Sequence, residues 1–596
     1  MSNRYRYFST VLGLVGCLCQ AQVGAARAQE AYPRSRVGRF EVDGLDFRPE
    51  GAWRKGSERV RSNRAGLLGL RALSVLNGRS AMTRVAGTYF VPVVPITFNN
   101  TTPPFPAAQY ENVLFNPSPT TEPYSVRSYY QEMSRGSVTI SGVVLDWVVA
   151  DSADVYYEDG CNGVGVKVSC PHGGRPFVDL LLEALKANDT GALDWGRFDN
   201  DGPDGLPNSG DDDGVVDFVT FLQPKVDGAC GAPGIWAHRY FMSAWNGSPY
   251  KTKSPRRGAG GAILPGQFIL VDDYTMQSAV GGATACDGSA IMPVGTVAHE
   301  TGHAFGLPDL YDTDLRSPSV TQGIGEWGIM GSGNYTQPYS PSRFEAWSLA
   351  ELGWVAIDTL GTSRSVRLSP VSTSDTVLYV GVPNTDEYFL LENRQAIGSD
   401  SAQINDACVF GTRSCAKGPG LLVWHIDQGI VDARGFRLGN RVNTGRIQGV
   451  ALVQADALNQ LREPGGKNRG DPGDPFPGST NNHALGDLTF PASVDNQGAT
   501  AGFMLDSIYQ DVDGSVAFRY TRTTAGLVNV SLPQAIDEIL GKGSLGSLQL
   551  AYLDSLGNKN GGYDVGDFLA YLSANSTALS PEVLRAVLAA DRRRAR

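Results

Sequence analysis

Four residues in the stretch V-A-H-E-T-G-H-A-F-G-L-P-D, which ends at Asp309, have the types and spacing of a hydrolytic metal site. On a helix of about 3.6 residues per turn, positions i and i+4 share one face. His299 and His303 can therefore aim both imidazoles at one ion, with Glu300 beside them and not ligating. Gly306 can adopt the left-handed conformation that ends a helix, and Pro308 stops its continuation. The chain then turns back and can bring Asp309 in as third ligand. Three protein ligands leave a fourth position for water, the arrangement of a catalytic zinc rather than a structural one. The element that must hold the set is a buried helix over Val294–Phe305, with Val294, Val297, Ala298 and Phe305 for packing.

Downstream the chain reads G-E-W-G-I-M-G-S-G-N-Y. A methionine at this distance from the third ligand matches the Met-turn of metzincin-type proteases, so Met330 is expected to underlie the metal site without ligating. With S-V-R-S-Y-Y-Q-E-M-S-R-G-S, I-W-A-H-R-Y, H-E-T-G-H-A-F-G-L-P-D-L-Y-D, E-W-G-I-M-G-S-G and Pro341–Trp354, the chain resembles the immune inhibitor A family of secreted bacterial zinc metalloproteases from roughly residue 86 to 523. The resemblance implies a propeptide, one catalytic zinc, bound calcium and endopeptidase activity on proteins or peptides. In this chemistry the metal lowers the pKa of its water to about 7 and polarises the scissile carbonyl, and Glu300 serves as general base. Tyr335 and His238 are the candidate donors to the oxyanion. Many metzincins carry a tyrosine two residues after the methionine, and Ser332 occupies that place here. His238 reads first as a structural or wall residue of the fold and second as a donor.

Calcium requires six to eight oxygens, which clustered Asp with Gly turns supply. The run from Phe198 to Asp217 offers Asp199, Asp201, Asp213 and Asp217, with Asp204 and Asp211 as further candidates; relative to the family's shorter D-x-D-G-D-G-x-x-D it carries an insertion. Near the C-terminus, L-G-N-K-N-G-G-Y-D-V-G-D-F-L-A-Y-L is like a dockerin or EF-hand half-site, with Asn558, Asn560, Asp564 and Asp567 at ligand-like spacing and Leu556 where the first Asp belongs. That tail reads as a docking module for a partner or as a plain helical hairpin. His425 and Asp427 in V-W-H-I-D share one strand face and read as a hydrogen-bonded structural pair.

At 596 residues the chain needs more than one core, and 41 % hydrophobic with 19 % charged residues describes a folded soluble protein. A net charge of −11 gives no electrostatic footprint for nucleic acid. Arg4 and Arg6 before the apolar run Phe8–Cys19, with Ala26-Arg27-Ala28 as cleavage site, read as an export signal, residues 1–28. The run is too short for a transmembrane span. The alternative is a lipoprotein box that anchors the chain through Cys17. Residues 29–85 read as a propeptide or a basic linker. Loss of Cys17 and Cys19 with the signal leaves Cys161 with Cys170 and Cys408 with Cys415 as short-loop disulfide candidates, and then Cys230 with Cys286.

The expected fold is multidomain: an α+β zincin-type catalytic domain (86–355), a β-sandwich-like domain (356–523), and a linker with a small helical tail (524–596). The catalytic region shows a buried strand at Val91, a helix capped by Ser125 and stopped by Gly136, paired strands in S-V-T-I-S-G-V-V-L-D-W-V-V, and a helix over Pro176–Asn188. Beyond Trp354, short strands separated by Gly, Pro and Asn suggest the β-domain. Two functions of other classes fit the same residues. One is a catalytically silent adhesion or docking protein that keeps the fold, against which intact Glu300 argues. The other is a zinc hydrolase of small peptides or glycans.

Overall fold

A computed structural model describes residues 84–596 except 201, 203, 316, 384, 406–416, 438–439, 524–529, 544, 558–561 and 575–596. The export signal, Cys17 and all of the proposed propeptide except Arg84 and Val85 lie outside the described residues, as do Asp201, Asn558, Asn560, Cys408 and Cys415. The fold is mixed α/β with several sheets.

Strands β1 (Gly87–Thr97), β2 (Val138–Val144), β3 (Val148–Val149), β4 (Val219–Gln223) and β5 (His238–Phe241) are followed by an antiparallel pair, β6 (Tyr250–Arg257) with β7 (Ile263–Val271), and by β8 (Asp273–Ser278). Apart from the β6–β7 pair they form one sheet in the order β2-β1-β4-β8-β5, with β3 also on β1. Pairing is parallel from β2 through β8, and only β5 runs antiparallel. Strands covered on both faces need no polar alternation. Accordingly, β1 from Val91 to Thr97 and all of β4 are buried. The expected pairing within the 137–149 run is corrected here. β2 and β3 do not pair with each other but follow one another along β1 in the same direction. Leu145–Trp147 makes a jog rather than a reversal, and the Leu145 N–H still donates to Val93 O at 2.9 Å.

The helices that carry the site pack beside this sheet. In α1 (Val126–Met133) the Ser125 hydroxyl accepts from Ser128 N and the Ser128 hydroxyl answers to Ser125 N, a reciprocal cap. Gly136, at φ 75°, ends that region as expected. Helix α2 spans Arg175–Asn188 and α3 spans Val294–Ala304. The Tyr130 hydroxyl donates to Ala298 O at 2.6 Å and ties α1 to α3. After the short hairpin β9 (Val280–Gly281) with β10 (Asp287–Ile291) and helix α4 (Ala346–Glu351), the chain becomes predominantly β.

Strands β11 (Ala356–Thr359), β12 (Arg364–Leu368), β13 (Thr376–Gly381), β14 (Glu387–Arg394), β15 (Gly420–Asp427), β16 (Val450–Val453), β17 (Leu485–Gly486), β18 (Phe503–Gln510) and β19 (Val516–Arg522) make two sheets. Their orders are β11-β13-β14-β15-β16 and β12-β19-β18-β17. Alternation on β14 and β15 explains how the parts join. Leu390, Leu422, Trp424 and Ile426 belong to the core that also holds Tyr130, Phe305 and Met330. Phe389, Leu391, Leu421 and Val423 belong to a second core with Phe503, Leu505, Phe518 and Tyr520 of the four-stranded sheet. The five-stranded sheet is thus covered on both faces, once by the elements before Trp354 and once by its companion sheet.

A third cluster, including Ala535, Ile539, Leu553, Phe568 and Tyr571, joins helices α5 (Leu532–Ile539), α6 (Ser547–Leu556) and α7 (Val565–Ala574). The Tyr571 hydroxyl donates to Val530 O at 2.6 Å and closes this small unit.

Candidate metal centre

Helix α3 carries His299, Glu300 and His303, all buried. Gly302 lies between them, and a Cβ there would stand 2.6 Å from the Met330 sulfur. Met330 is therefore under the metal helix, fully buried. The helix ends at Ala304, Gly306 takes φ 89°, and the chain returns with Asp309. His299 Nε2 lies 3.0 Å and His303 Nε2 3.2 Å from Asp309 Oδ1. Glu300 Oε2 is 4.0 Å from His303 Nε2.

The other ring nitrogens fix which atoms face inward. His299 Nδ1 donates to Ile329 O at 2.6 Å and His303 Nδ1 to Leu307 O at 2.7 Å. Each imidazole is thereby oriented with its Nε2 toward the common point, as metal-ligating histidines are. Two nitrogens and one carboxylate oxygen that converge in this way fit zinc. Among the described residues two further groups place three potential ligand atoms together. One contains the disulfide sulfurs of Cys161 and Cys170, and the other is Asp456, Asp471 and Asp474.

The electrostatics favour positive charge at that point. Burial disfavours charging His299, but the hydrogen bond and charge of Asp309, together with the Glu300 charge, push it up to about 9. Burial likewise opposes ionisation of Asp309, yet His303 and His299 hold its carboxyl well below the usual carboxylate range. Burial pushes Glu300 up to about 7; the histidines pull it down while Asp309 and Asp227 add to the rise.

Of the candidate oxyanion donors, the structure brings only Tyr335 into the influence of the centre. Its phenol is raised by burial, then by the charges of Asp227 and Glu300. His238 is engaged elsewhere: Nδ1 donates to Trp236 O at 2.7 Å and Nε2 accepts from the Tyr274 hydroxyl at 3.0 Å. Burial lowers this imidazole to about 4, so it is a neutral core residue. The His425–Asp427 pair is corrected. His425 Nε2 meets Glu387 Oε2 at 2.7 Å, whereas Asp427 accepts from Ile430 N and Asn496 Nδ2. Residues two apart on a strand share a face, but a neighbouring strand offers a nearer carboxylate.

In the 198–217 loop, Asp199 and Asp217 are buried. Asp199 accepts from Gly214 N at 3.0 Å and Asp213 from Val215 N at 2.8 Å. Asp211 accepts from Asp204 N at 3.0 Å. Asp212, which sequence reasoning passed over, is buried and accepts from Gly202 N and Ser209 N, both at 2.8 Å. In the tail, Asp564 N donates to Asp567 Oδ2 at 2.9 Å and Asp564 Oδ1 accepts from Gly566 N at 2.7 Å, so these two acids cap α7. The disulfides Cys161–Cys170 and Cys230–Cys286 are formed.

Three residues of the centre escaped sequence reasoning. The Tyr311 ring lies 6.3 Å from that of His299, and burial, then the charges of Asp309 and Glu300, raise its phenol. Its place two residues after Asp309 was the one available signal. Asp227 is buried and accepts from Ala229 N at 2.9 Å and Ala237 N at 3.1 Å. Asn440, from the segment before β16, engages Asp309 itself: its Oδ1 accepts from Asp309 N at 2.6 Å and its Nδ2 donates to Asp309 Oδ2. Nothing near Asn440 in the sequence announces that contact.

A helix-borne imidazole pair, a carboxylate between them and a third ligand after a glycine turn constitute a centre of the metallopeptidase class. Residues 101–355 match the model of the immune inhibitor A peptidase M6 catalytic domain, and the chain contains a domain of that family. The Pre-pro-metalloprotease PrtV of Vibrio cholerae serotype O1 is 28 % identical over 255 residues, which cover 40 % of this chain and 25 % of that protein. Immune inhibitor A of Bacillus thuringiensis subsp. alesti is 30 % identical over 247 residues, 39 % of this chain and 32 % of that protein. The matches thus span a third or less of either relative.

Proposed function

We propose that the chain is a secreted zinc-dependent endopeptidase that hydrolyses peptide bonds in proteins. The observation that carries this reading is the convergence of His299 Nε2, His303 Nε2 and Asp309 Oδ1, with Glu300 buried beside them. When bound, zinc supplies Lewis acidity, lowering the pKa of a water and polarising a carbonyl. The His299 and His303 imidazoles and the Asp309 carboxylate would hold it. Glu300, with a proton affinity near neutrality, takes a proton from a water in the site and returns it to the leaving amine. Tyr335 is the candidate donor to the developing oxyanion.

The same reading includes a zincin-type domain over 86–355, a β-sandwich-like domain over 356–523, an export signal over 1–28 and a propeptide over 29–85. Two sheets around one shared core support the second of these. No helix among the described residues is long and apolar enough to cross a membrane. Calcium in the 198–217 loop also belongs to this reading; a calcium chelator that leaves thermal stability unchanged would count against it.

The test is casein digestion by the mature protein beside its Glu300→Ala variant, with zinc content measured in both. Digestion by the parent alone, with zinc in both, is the expected result. If neither digests casein while both hold zinc, the substrate class is wrong and small peptides or glycans come next.

A further inference from the structure

The third ligand of the proposed centre is held from outside the catalytic region. Asp309 presents Oδ1 to the two imidazoles, and its main-chain N–H and Oδ2 meet a single side chain. Asn440 accepts the Asp309 main-chain N–H and donates to Oδ2. The amide can point only one way, because an N–H requires the oxygen and a carboxylate requires the NH₂. Both residues are buried.

The segment that carries Asn440 is itself fastened to the turn after the metal helix. Thr313 Oγ1 donates to Asn440 O at 2.7 Å, and Gly445 N donates to Asp312 Oδ2 at 3.1 Å. Asn443 Nδ2 donates to Leu310 O at 2.8 Å, while its side chain also exchanges hydrogen bonds with Val450 at the start of β16. The turn over 309–313 is thus stitched to the five-stranded sheet. We infer that Asn440 is a positioning residue for the metal centre: it fixes Asp309 as a one-oxygen ligand and makes residues beyond 355 part of the ion's binding site.

The physical reason is the cost of freedom in a ligand. An unrestrained carboxylate can rotate, chelate with both oxygens or turn to water, and each alternative competes with the productive pose. A hydrogen-bond partner on the distal oxygen removes those states, and loss of such partners typically weakens metal binding 10–100-fold. Tyr311, whose phenol feels the Asp309 charge, lies on the same turn and moves with it. Asn440 is the partner that ties Asp309 to a separate element.

This inference rests on the zinc reading, and the test separates the two. Zinc affinity is measured by chelator competition at pH 7.5 for the full mature chain, Asn440→Ala, Asn440→Asp and Asn443→Ala, with thermal unfolding of each metal-free form. The expected result is about 10–100-fold weaker zinc binding in both Asn440 variants, with metal-free unfolding close to the parent's. Asn443→Ala, which removes bonds to main-chain groups only, should lower stability while holding zinc better than either Asn440 variant. Asn440→Asp keeps the shape of the amide and sets an acceptor against Oδ2, so it decides the matter if the alanine variant fails to fold. Parent-like zinc affinity in the Asn440 variants overturns the inference, as does an equal loss in Asn443→Ala or failure of both Asn440 variants to fold. A parent that takes up no zinc overturns the metal reading itself.

Discussion

Replacing Gly302 by alanine sets two opposed effects against each other. In an exposed helix the change would stabilise by about 1 kcal/mol, because glycine is the poorer helix former. Here the new Cβ would stand 2.6 Å from the Met330 sulfur and 3.3 Å from Phe344 Cε1. An ordinary contact needs about 3.5–4.0 Å, so the sulfur must retreat by roughly 1 Å inside a filled core. Overpacking of this kind costs about 1–3 kcal/mol, and the helix gain offsets only its lower end. The displacement is also passed on, since Met330 O accepts from Leu310 N at 2.7 Å and the neighbouring Ile329 O holds His299. We expect Gly302→Ala to lose about 1 kcal/mol in urea unfolding of the metal-free protein and to bind zinc less tightly. Met330→Ala removes the clash but itself costs about 2–5 kcal/mol, so the double variant should be less destabilised than the sum of the two single ones, by about 1 kcal/mol in the double-mutant cycle. A Gly302→Ala protein more stable than the parent, with undiminished zinc affinity, would refute the packing argument.

Three further expectations can be checked on the same protein. Burial, followed by the charge of Glu392, pushes Glu345 up to about 7, so its protonated form is favoured by folding and native stability falls as pH rises from about 4.5 through 7. Glu345→Gln, which keeps an acceptor for Ser348 N, should match the parent at pH 5 and exceed it by about 3 kcal/mol at pH 8.5; equal denaturant midpoints at the two pH values would remove the basis for this. Replacing Cys230 and Cys286 with serine opens a 56-residue loop and should lower stability by about 4 kcal/mol on the chain-entropy estimate, read by calorimetry. A chain ended at residue 355 exposes the surface that Leu390, Leu422 and Trp424 cover, and should show no cooperative unfolding transition, whereas the full chain should.

Legibility in the sequence followed the range of the interactions. His299, Glu300, His303 and the turn at Gly306 were readable because helical period and glycine conformation are local properties. Met330 was readable because a motif stood in for packing, and the structure supplies the reason in the missing Cβ of Gly302. The strand run at Val91 and the apolar β14 and β15 announced buried strands, but not which elements would cover them. Pairing was less accessible: β2 and β3 were expected to join each other, and both chose β1. His425 shows the same limit, since Asp427 was near in sequence and Glu387 near in space. Asn440 is the extreme case, 131 residues from the carboxylate it holds.

The covering of β14 and β15 on both faces also bears on how such a molecule comes into being. A chain made from its N-terminus presents His299 and His303 long before Asn440, β16 or the four-stranded sheet exists. Until the five-stranded sheet has closed behind the metal helix, Asp309 has no counterpart to lock it. On the proposed reading, hydrolytic competence then arrives late, when most of the polypeptide has been synthesised, and the unfinished chain is harmless to the machinery that makes it.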